Sequence, residues 1–354
     1  MHTAMVCAAL VAMTGAEPKE WDYGPGGWRD ARPQQPETPP DAGVGNVRDG
    51  AARLTRTNDA ALTIEPPGPI NIDPLFDPIV DDLGRNPKRA FNKTVDWLLA
   101  NPTDPMRDQG LYLAATALFE FGNRAKSFFY CDELLDTYPE SPLYDDALRL
   151  QYTIADEFLK GYKERIAKLP IADGQDKAIE MLFRIQERAP GSPLAEQSVL
   201  RAADHFYGKR DFDFAAIYYQ AYIEAYPRSP QASEAKLRLA FSNLFQYRGP
   251  EFDSGPVIEA RNDLAELIGT EPDMAREREL QKVVTEIDIE LVRKRLTSGD
   301  YYRRTGEKRA AAMMYQSVLD DYPLAPQAEI ARRKLEALGP VDLSFPEPGA
   351  EIGQ

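Results

Sequence analysis

"YIEAYPRSPQASEAKLRLAF", residues 222–241, breaks one apolar-periodic segment at Pro227 and begins another within a few residues. Proline has no amide hydrogen and crowds the turn before it, so Pro227 ends the first helix. Ser229 is placed to cap the next helix, and Pro230 suits a first turn, where no amide hydrogen bond is lost. The stretch reads as the corner of a helical hairpin.

The corner recurs. "TYPESPLYDDAL" surrounds Pro139, "RAPGSPLAEQSV" surrounds Pro190 and "DYPLAPQAEIAR" surrounds Pro323, with weaker copies at Pro102 ("NPTDPMRDQG") and Pro272 ("TEPDMARERE"). The six prolines at 102, 139, 190, 227, 272 and 323 stand 37, 51, 37, 45 and 51 residues apart. A helix-turn-helix repeat of the tetratricopeptide type takes about 34 residues, so the longer units must hold extended helices or inserted loops.

Register within the units is the stronger test. Twelve residues before each corner proline stand Ala90, Ser127, Ala178, Ala215, Ala260 and Ala311, all small enough for two helices to approach closely. Eight before it come Thr94, Cys131, Leu182, Tyr219, Leu264 and Tyr315. Five before it come Trp97, Leu134, Ile185, Tyr222, Leu267 and Val318. Offsets of four and seven put all three positions on one helical face.

The unit "SGDYYRRTGEKRAAAMMYQSVLDDYP", residues 298–323, carries the pattern most fully. Gly299, Tyr302, Gly306, Ala311, Tyr315 and Pro323 stand where a tetratricopeptide repeat has its glycine, aromatic, turn glycine, alanine, aromatic and proline. The chain therefore resembles a tetratricopeptide array, an all-α solenoid of five to six helical hairpins over residues 73–338.

A narrower resemblance covers roughly residues 120–338. "FDFAAIYYQAYIEAYPRSPQASEAKLRLAFSNLFQ" is followed by the insert "YRGPEFDSGP", then a long charged helix ending "IDIELVRKRL", then the hairpin closing at Pro323. This order is similar to the BamD/YfiO type of outer-membrane assembly lipoprotein. The resemblance implies a non-enzymatic scaffold on the periplasmic side of the outer membrane, within the machine that inserts β-barrel proteins. It implies contacts with soluble domains of the barrel subunit and with unfolded client strands. Another cell-envelope tetratricopeptide adaptor, serving cell-wall or secretion machinery, is the alternative.

Composition narrows the partners. A net charge of -15 over 354 residues disfavours nucleic acid and direct docking to anionic lipid headgroups. Residues 1–16, "MHTAMVCAALVAMTGA", are apolar and too short to span a bilayer. They read as the apolar part of an export signal, with Ala16 as the last residue before cleavage. Cys7 lies inside that run, not just after it, which suits lipid attachment poorly. Membrane association would then come through partners or a lipid anchor elsewhere.

Residues 17–72 are crowded with proline ("RPQQPETPP", "IEPPGP") and poor in large aliphatics, and read as a disordered, partly polyproline linker. Within it, Trp21, Tyr23 and Trp28 flank a Gly-Pro-Gly-Gly turn that could form a tiny hairpin or a docking peptide, although such a hairpin is marginal alone. Residues 339–354 read as a flexible tail.

Catalytic chemistry is absent from the motifs. With His2 in the export segment, His205 stands alone, and one histidine makes neither a zinc site nor a triad. Two cysteines give no disulfide framework, and Cys131 falls at a helix-contact position as a core thiol. Adjacent pairs such as Asp81-Asp82, Asp145-Asp146 and Asp320-Asp321 do not face each other on a helix, and 57 carboxylates make them unremarkable. No enzyme, cofactor or metal is expected.

Two long segments carry further expectations. "LYDDALRLQYTIADEFLKGYKERIAKL", residues 143–169, is free of proline and reads as one helix of about 26 residues. Leu280, Val284, Ile287 and Leu291 form an apolar stripe on a helix that extends beyond its hairpin and packs within the array. Function is then a matter of surfaces. Stacked hairpins line a groove with their first helices, which places Tyr112, Thr116 and Phe119 along it in one unit and Leu200, Asp204 and Tyr207 in another.

Overall fold

The structure, a computed structural model, describes residues 71–162, 174–249 and 251–343 in full, and the backbone of 21–24, 27–30, 165–166 and 169–170. The export segment, most of the proline-rich segment and most of the C-terminal tail lie outside the described residues. Two compact units are delimited, residues 1–41 and 42–354. In the first, β1 (Trp21–Gly24) pairs antiparallel with β2 (Gly27–Asp30), with Trp21 opposite Asp30 and Tyr23 opposite Trp28. Trp21–Gly24 and Gly27–Asp30 are thus paired strands inside the segment that the sequence reads as disordered, and the two residues between them lie outside the described residues.

The second unit is a run of antiparallel helices. A short 3-10 turn, Pro74–Phe76, leads into α1 (Asp77–Leu83) and α2 (Pro87–Ala100). There follow α3 (Arg107–Phe121) with α4 (Arg124–Thr137), then α5 (Tyr144–Leu159) with α6 (Gln175–Arg188). Next come α7 (Pro193–Gly208) with α8 (Phe212–Ala225), and α9 (Ala232–Gln246) with α10 (Gly255–Thr270). A short α11 (Pro272–Glu277) precedes α12 (Leu280–Thr305) and α13 (Lys308–Asp321), and α14 (Ala328–Leu338) closes the series. Each helix packs on the next in sequence, and the first helices α3, α5, α7 and α9 also lie side by side. This is a tetratricopeptide-type all-α solenoid.

The phased positions build its core. Ala90, Ser127, Ala178, Ala215, Ala260 and Ala311 are all fully buried where the two helices of a hairpin meet. The positions four and seven residues later are buried too, except Trp97, which is half-buried and packs edge-on to Phe76 at 4.8 Å. Close approach also explains Gly299: a β-carbon there would reach 2.8 Å from Cδ1 of Tyr315, so a side chain would push α12 away from α13.

Helix starts follow local chemistry. Asn86, Asn123 and Ser192 accept hydrogen bonds from the amides of Arg89, Lys126 and Ala195, satisfying first-turn donors. At the opening corner the detail differs from expectation. Helix α9 begins at Ala232 behind Gln231, and the Ser229 hydroxyl accepts from the Gln231 amide at 3.0 Å while donating to Glu196. A turn at Ser229–Ala232 intervenes, so the serine ties the corner to α7 instead of capping α9. Ser141 does the same at its corner, donating to Asp108 on α3 at 2.6 Å.

The two long segments part company. Helix α5 stops at Leu159, because Gly161 takes φ +94° and the amide of Tyr162 bonds back to the Glu157 carbonyl. Beyond it, Arg165–Ile166 pairs with Leu169–Pro170 as a minimal two-stranded ladder, so the single long helix expected over 143–169 is replaced by a 16-residue helix and an insert. Helix α12 does run 26 residues, and Leu280, Val284, Ile287 and Leu291 are buried with residues of α9 and α10.

Candidate protein-interaction surface

The expected groove residues split by depth. Tyr112 on α3 is only 7 % exposed, packed among α3–α6, and burial with the nearby Asp146 carboxylate pushes its phenol up to about 12. Thr116 is half-buried, and its hydroxyl donates to the Tyr112 carbonyl at 2.9 Å. Phe119 is half-buried beneath the Arg124 guanidinium, 3.9 Å from its ring centre. That guanidinium also lies 4.8 Å from the Tyr162 ring and donates to Glu157 at 2.6 Å. This stack closes the α3–α4 turn against the end of α5.

Leu200, Asp204 and Tyr207 are half-buried along α7. Leu200 packs with the cluster under α8. Tyr207 meets Tyr219 and Phe212 edge-on at 6.0 and 5.6 Å. Asp204 accepts from the Tyr219 hydroxyl at 2.6 Å and from Arg238 at 2.6 Å. The structure thus brings Leu200, Asp204 and Tyr207 into one strip, whereas Tyr112 belongs to the interior of its hairpin pair.

Asp204 is one rung of a ladder that sequence reasoning did not single out. Arg201 on α7 donates to Asp156 on α5 at 2.6 Å, and Arg238 on α9 donates to Asp204 on α7. Farther along, Lys334 on α14 donates to Asp300 on α12, which also accepts from Tyr315 at 2.7 Å. Asp204 and Asp300 each precede their tyrosine by 15 residues and their cation by 34, whereas Arg201 follows Asp156 by 45. That spacing was visible in the chain, but ion pairs leave no periodic apolar signal.

Burial pushes the Asp156 carboxyl up, but hydrogen bonds from Lys160 and Arg201 outweigh it and hold it below the usual carboxylate range. Asp300 follows the same balance, with Lys334 and Tyr315 as donors. Strong, mutually committed charges like these set the stacking of first helices and stay ionised at neutral pH. They are joined by a network on the other helices: Asp132 accepts from Gln151 at 2.6 Å, from Arg184 at 2.8 Å and from Arg188, fastening α4 to α5 and α6.

What remains exposed is apolar in places. Phe129 on α4 is 65 % exposed and Phe214 on α8 is 42 % exposed. Phe214 continues a row of rings: it stacks on Phe206 at 5.2 Å, Phe206 stacks on Tyr218 at 4.9 Å, and Tyr218 lies 5.5 Å from Phe183. Rings of this kind offer large contact area at low entropic cost to a partner chain.

Burial, then the Asp132 charge, raise the Cys131 thiol far above its ordinary value, and His205 is buried against Phe206. Among the described residues no group of His, Cys, Asp and Glu side chains is arranged to hold a metal, and no helix is long and apolar enough to cross a membrane.

Comparison with known proteins gives three results. No curated protein matches the chain. A tetratricopeptide repeat protein from Parabacteroides merdae ATCC 43184, solved as a crystal structure, is similar at 12 % identity and a TM-score of 0.32, over 75 % of this chain and 97 % of that one. The model of the YfiO family, described as an outer membrane lipoprotein, matches residues 156–340, more than half of the chain, from the end of α5 to the end of α14. The chain belongs to the YfiO family of outer membrane lipoproteins.

Proposed function

We propose that this protein is a non-enzymatic scaffold at the periplasmic face of the outer membrane, acting as a BamD-like subunit in the assembly of β-barrel proteins. The observation that carries the reading is the family match, which spans the α7–α8, α9–α10 and α12–α13 hairpins as one block. Half-buried Leu200, Asp204 and Tyr207 on α7, with Thr116 and Phe119 on α3, form the partner-facing strip in this reading, and Tyr112 supports that strip from beneath. Partners are soluble repeat domains of the barrel subunit or unfolded client segments. Export through residues 1–16 supplies the location.

Affinity capture of the tagged chain from crosslinked, gently solubilised membranes of its own organism tests the proposal. Recovery of a barrel-assembly subunit, reduced by Thr116→Arg or Leu200→Arg, is expected. Consistent recovery of cell-wall or secretion components in its place overturns the assembly role and favours a different envelope adaptor.

A further inference from the structure

We propose that the cleft between the α7–α8 turn and the end of α9 binds an acidic peptide segment, whose carboxylates are taken by Arg210 and Arg248. The inference rests on the reading of the chain as a protein-binding scaffold and names one binding site within it. The cleft encloses about 430 Å³, a volume suited to a few side chains. Lys209, Arg210 and Phe212 form one wall, and Phe245 and Arg248 the other.

The α7–α8 turn departs from its counterparts at one position. Four first helices end in the same double hydrogen-bond pattern, with a left-handed residue after the helix. Gly122, Gly161 and Gly306 occupy it in α3, α5 and α12, at φ +90°, +94° and +86°. At the end of α7 the residue is Arg210, at φ +60°. Its amide bonds to the Tyr207 carbonyl and the Asp211 amide to the Phe206 carbonyl, as the glycine turns do. Glycine is the low-strain choice there, because a β-carbon crowds the backbone in that region. Here the left-handed residue is an arginine, and it lines the cleft.

Charge and shape indicate the occupant. In a chain of net charge -15, the Arg210 and Arg248 guanidinium groups line this cleft without a side-chain hydrogen bond or ion pair among the described residues, unlike the paired Arg201 and Arg238. Lys209 is engaged with Gln175 and adds charge to the rim. Asp211 and Asp213 also line the cleft and leave it with a net charge of about +1, so binding is modest and sensitive to salt. A guanidinium fork matches a planar carboxylate. The Phe212 and Phe245 rings, 4.6 Å apart, pack against each other where the two walls meet, and the accessible lining of the cleft is mainly polar.

The test is fluorescence anisotropy of the purified full chain with a labelled, capped Glu-Glu-Phe-Glu-Glu peptide, against a Gln-Gln-Phe-Gln-Gln control. The acidic peptide is expected to bind and the control not to. Arg210→Gly and Arg248→Ala are each expected to weaken binding about tenfold. Arg276→Ala, which removes an exposed cation on α11 paired with Asp273, should leave it unchanged. Arg210→Gly should melt at the same temperature or higher, because glycine suits the turn, which separates lost binding from lost fold. Equal binding by all variants overturns the site, as does binding of phosphatidylglycerol vesicles through these arginines with the peptide left unbound. Failure of the peptide with capture of barrel-assembly subunits intact sinks the cleft alone. Arginine-dependent peptide binding without such capture supports the cleft and sinks the assembly role.

Discussion

The Tyr219 hydroxyl donates to Asp204 at 2.6 Å, and two hairpins later Tyr315 donates to Asp300 at 2.7 Å. In both, the tyrosine ring fills the hairpin interior and the aspartate turns outward to a cation on the next first helix, Arg238 or Lys334. One residue thus links packing within a hairpin to stacking between hairpins. Tyr219→Phe keeps the ring and removes one hydrogen bond, so a loss of about 1 kcal/mol is expected. Asp204→Ala removes the acceptor of the Tyr219 hydroxyl and one of the carboxylates that Arg238 meets, Glu234 being another, and should cost about 1–3 kcal/mol. Urea unfolding of the two variants checks the order.

The ladder predicts acid sensitivity. Asp156 and Asp300 have carboxyls held below their ordinary value in the folded chain, by Lys160 and Arg201 in one case and Lys334 and Tyr315 in the other, against the opposing effect of burial. Their contribution is fully present above the unfolded carboxylate pKa of about 3.9 and is lost as pH falls through the lower folded value. Melting temperature followed from neutral pH to about pH 3 should fall less steeply in Asp156→Asn than in the parent. Parallel curves would refute this role.

Gly299→Ala tests close packing. The added carbon meets the Tyr315 ring, which has little room to give in a fully buried site. Overpacking of this kind costs about 1–3 kcal/mol. Tyr315→Leu should recover part of the loss in the double variant, and a coupling near zero in a double-mutant cycle would contradict the contact.

Asp132 is the hub of the α4–α5–α6 network, and its removal takes an acceptor from Gln151 and leaves Arg188 to its outer partner Asp136 and to Gln151. Asp132→Ala should cost about 3 kcal/mol, whereas severing the outer contact by Asp136→Ala, mostly exposed, should cost under about 1 kcal/mol.

Cys131 is fully buried with its thiol raised by burial. An alkylating reagent should therefore modify it only as fast as the hairpins open, and the rate should rise with added denaturant along with global unfolding. Rapid labelling in buffer would contradict its placement.

The corner at Pro227 and the phase of small and large residues before each proline were legible because they are local effects. Proline geometry acts within a turn, and an apolar stripe repeats with the helical period. Ala215, Tyr219 and Tyr222 could be assigned to the interior from spacing alone. Other outcomes needed three dimensions. Gly161 ends α5, although nothing in the apolar pattern stops there, because a left-handed residue and its returning hydrogen bond compete with continuation of the helix. Thr116 and Asp204 stand at matching places on first helices, yet Thr116 bonds back to its own helix and Asp204 is shared between two hairpins.

By itself the chain determined the repeat, its corners and the buried face of each second helix, since all of these follow from residue type and spacing. The tertiary structure decided which charges meet across hairpins, which aromatics stay exposed and that Arg210 takes a glycine's place beside a cleft. Those depend on how one hairpin stacks on the next, where residues 34 or more apart come within a hydrogen bond of each other and no sequence period records the meeting.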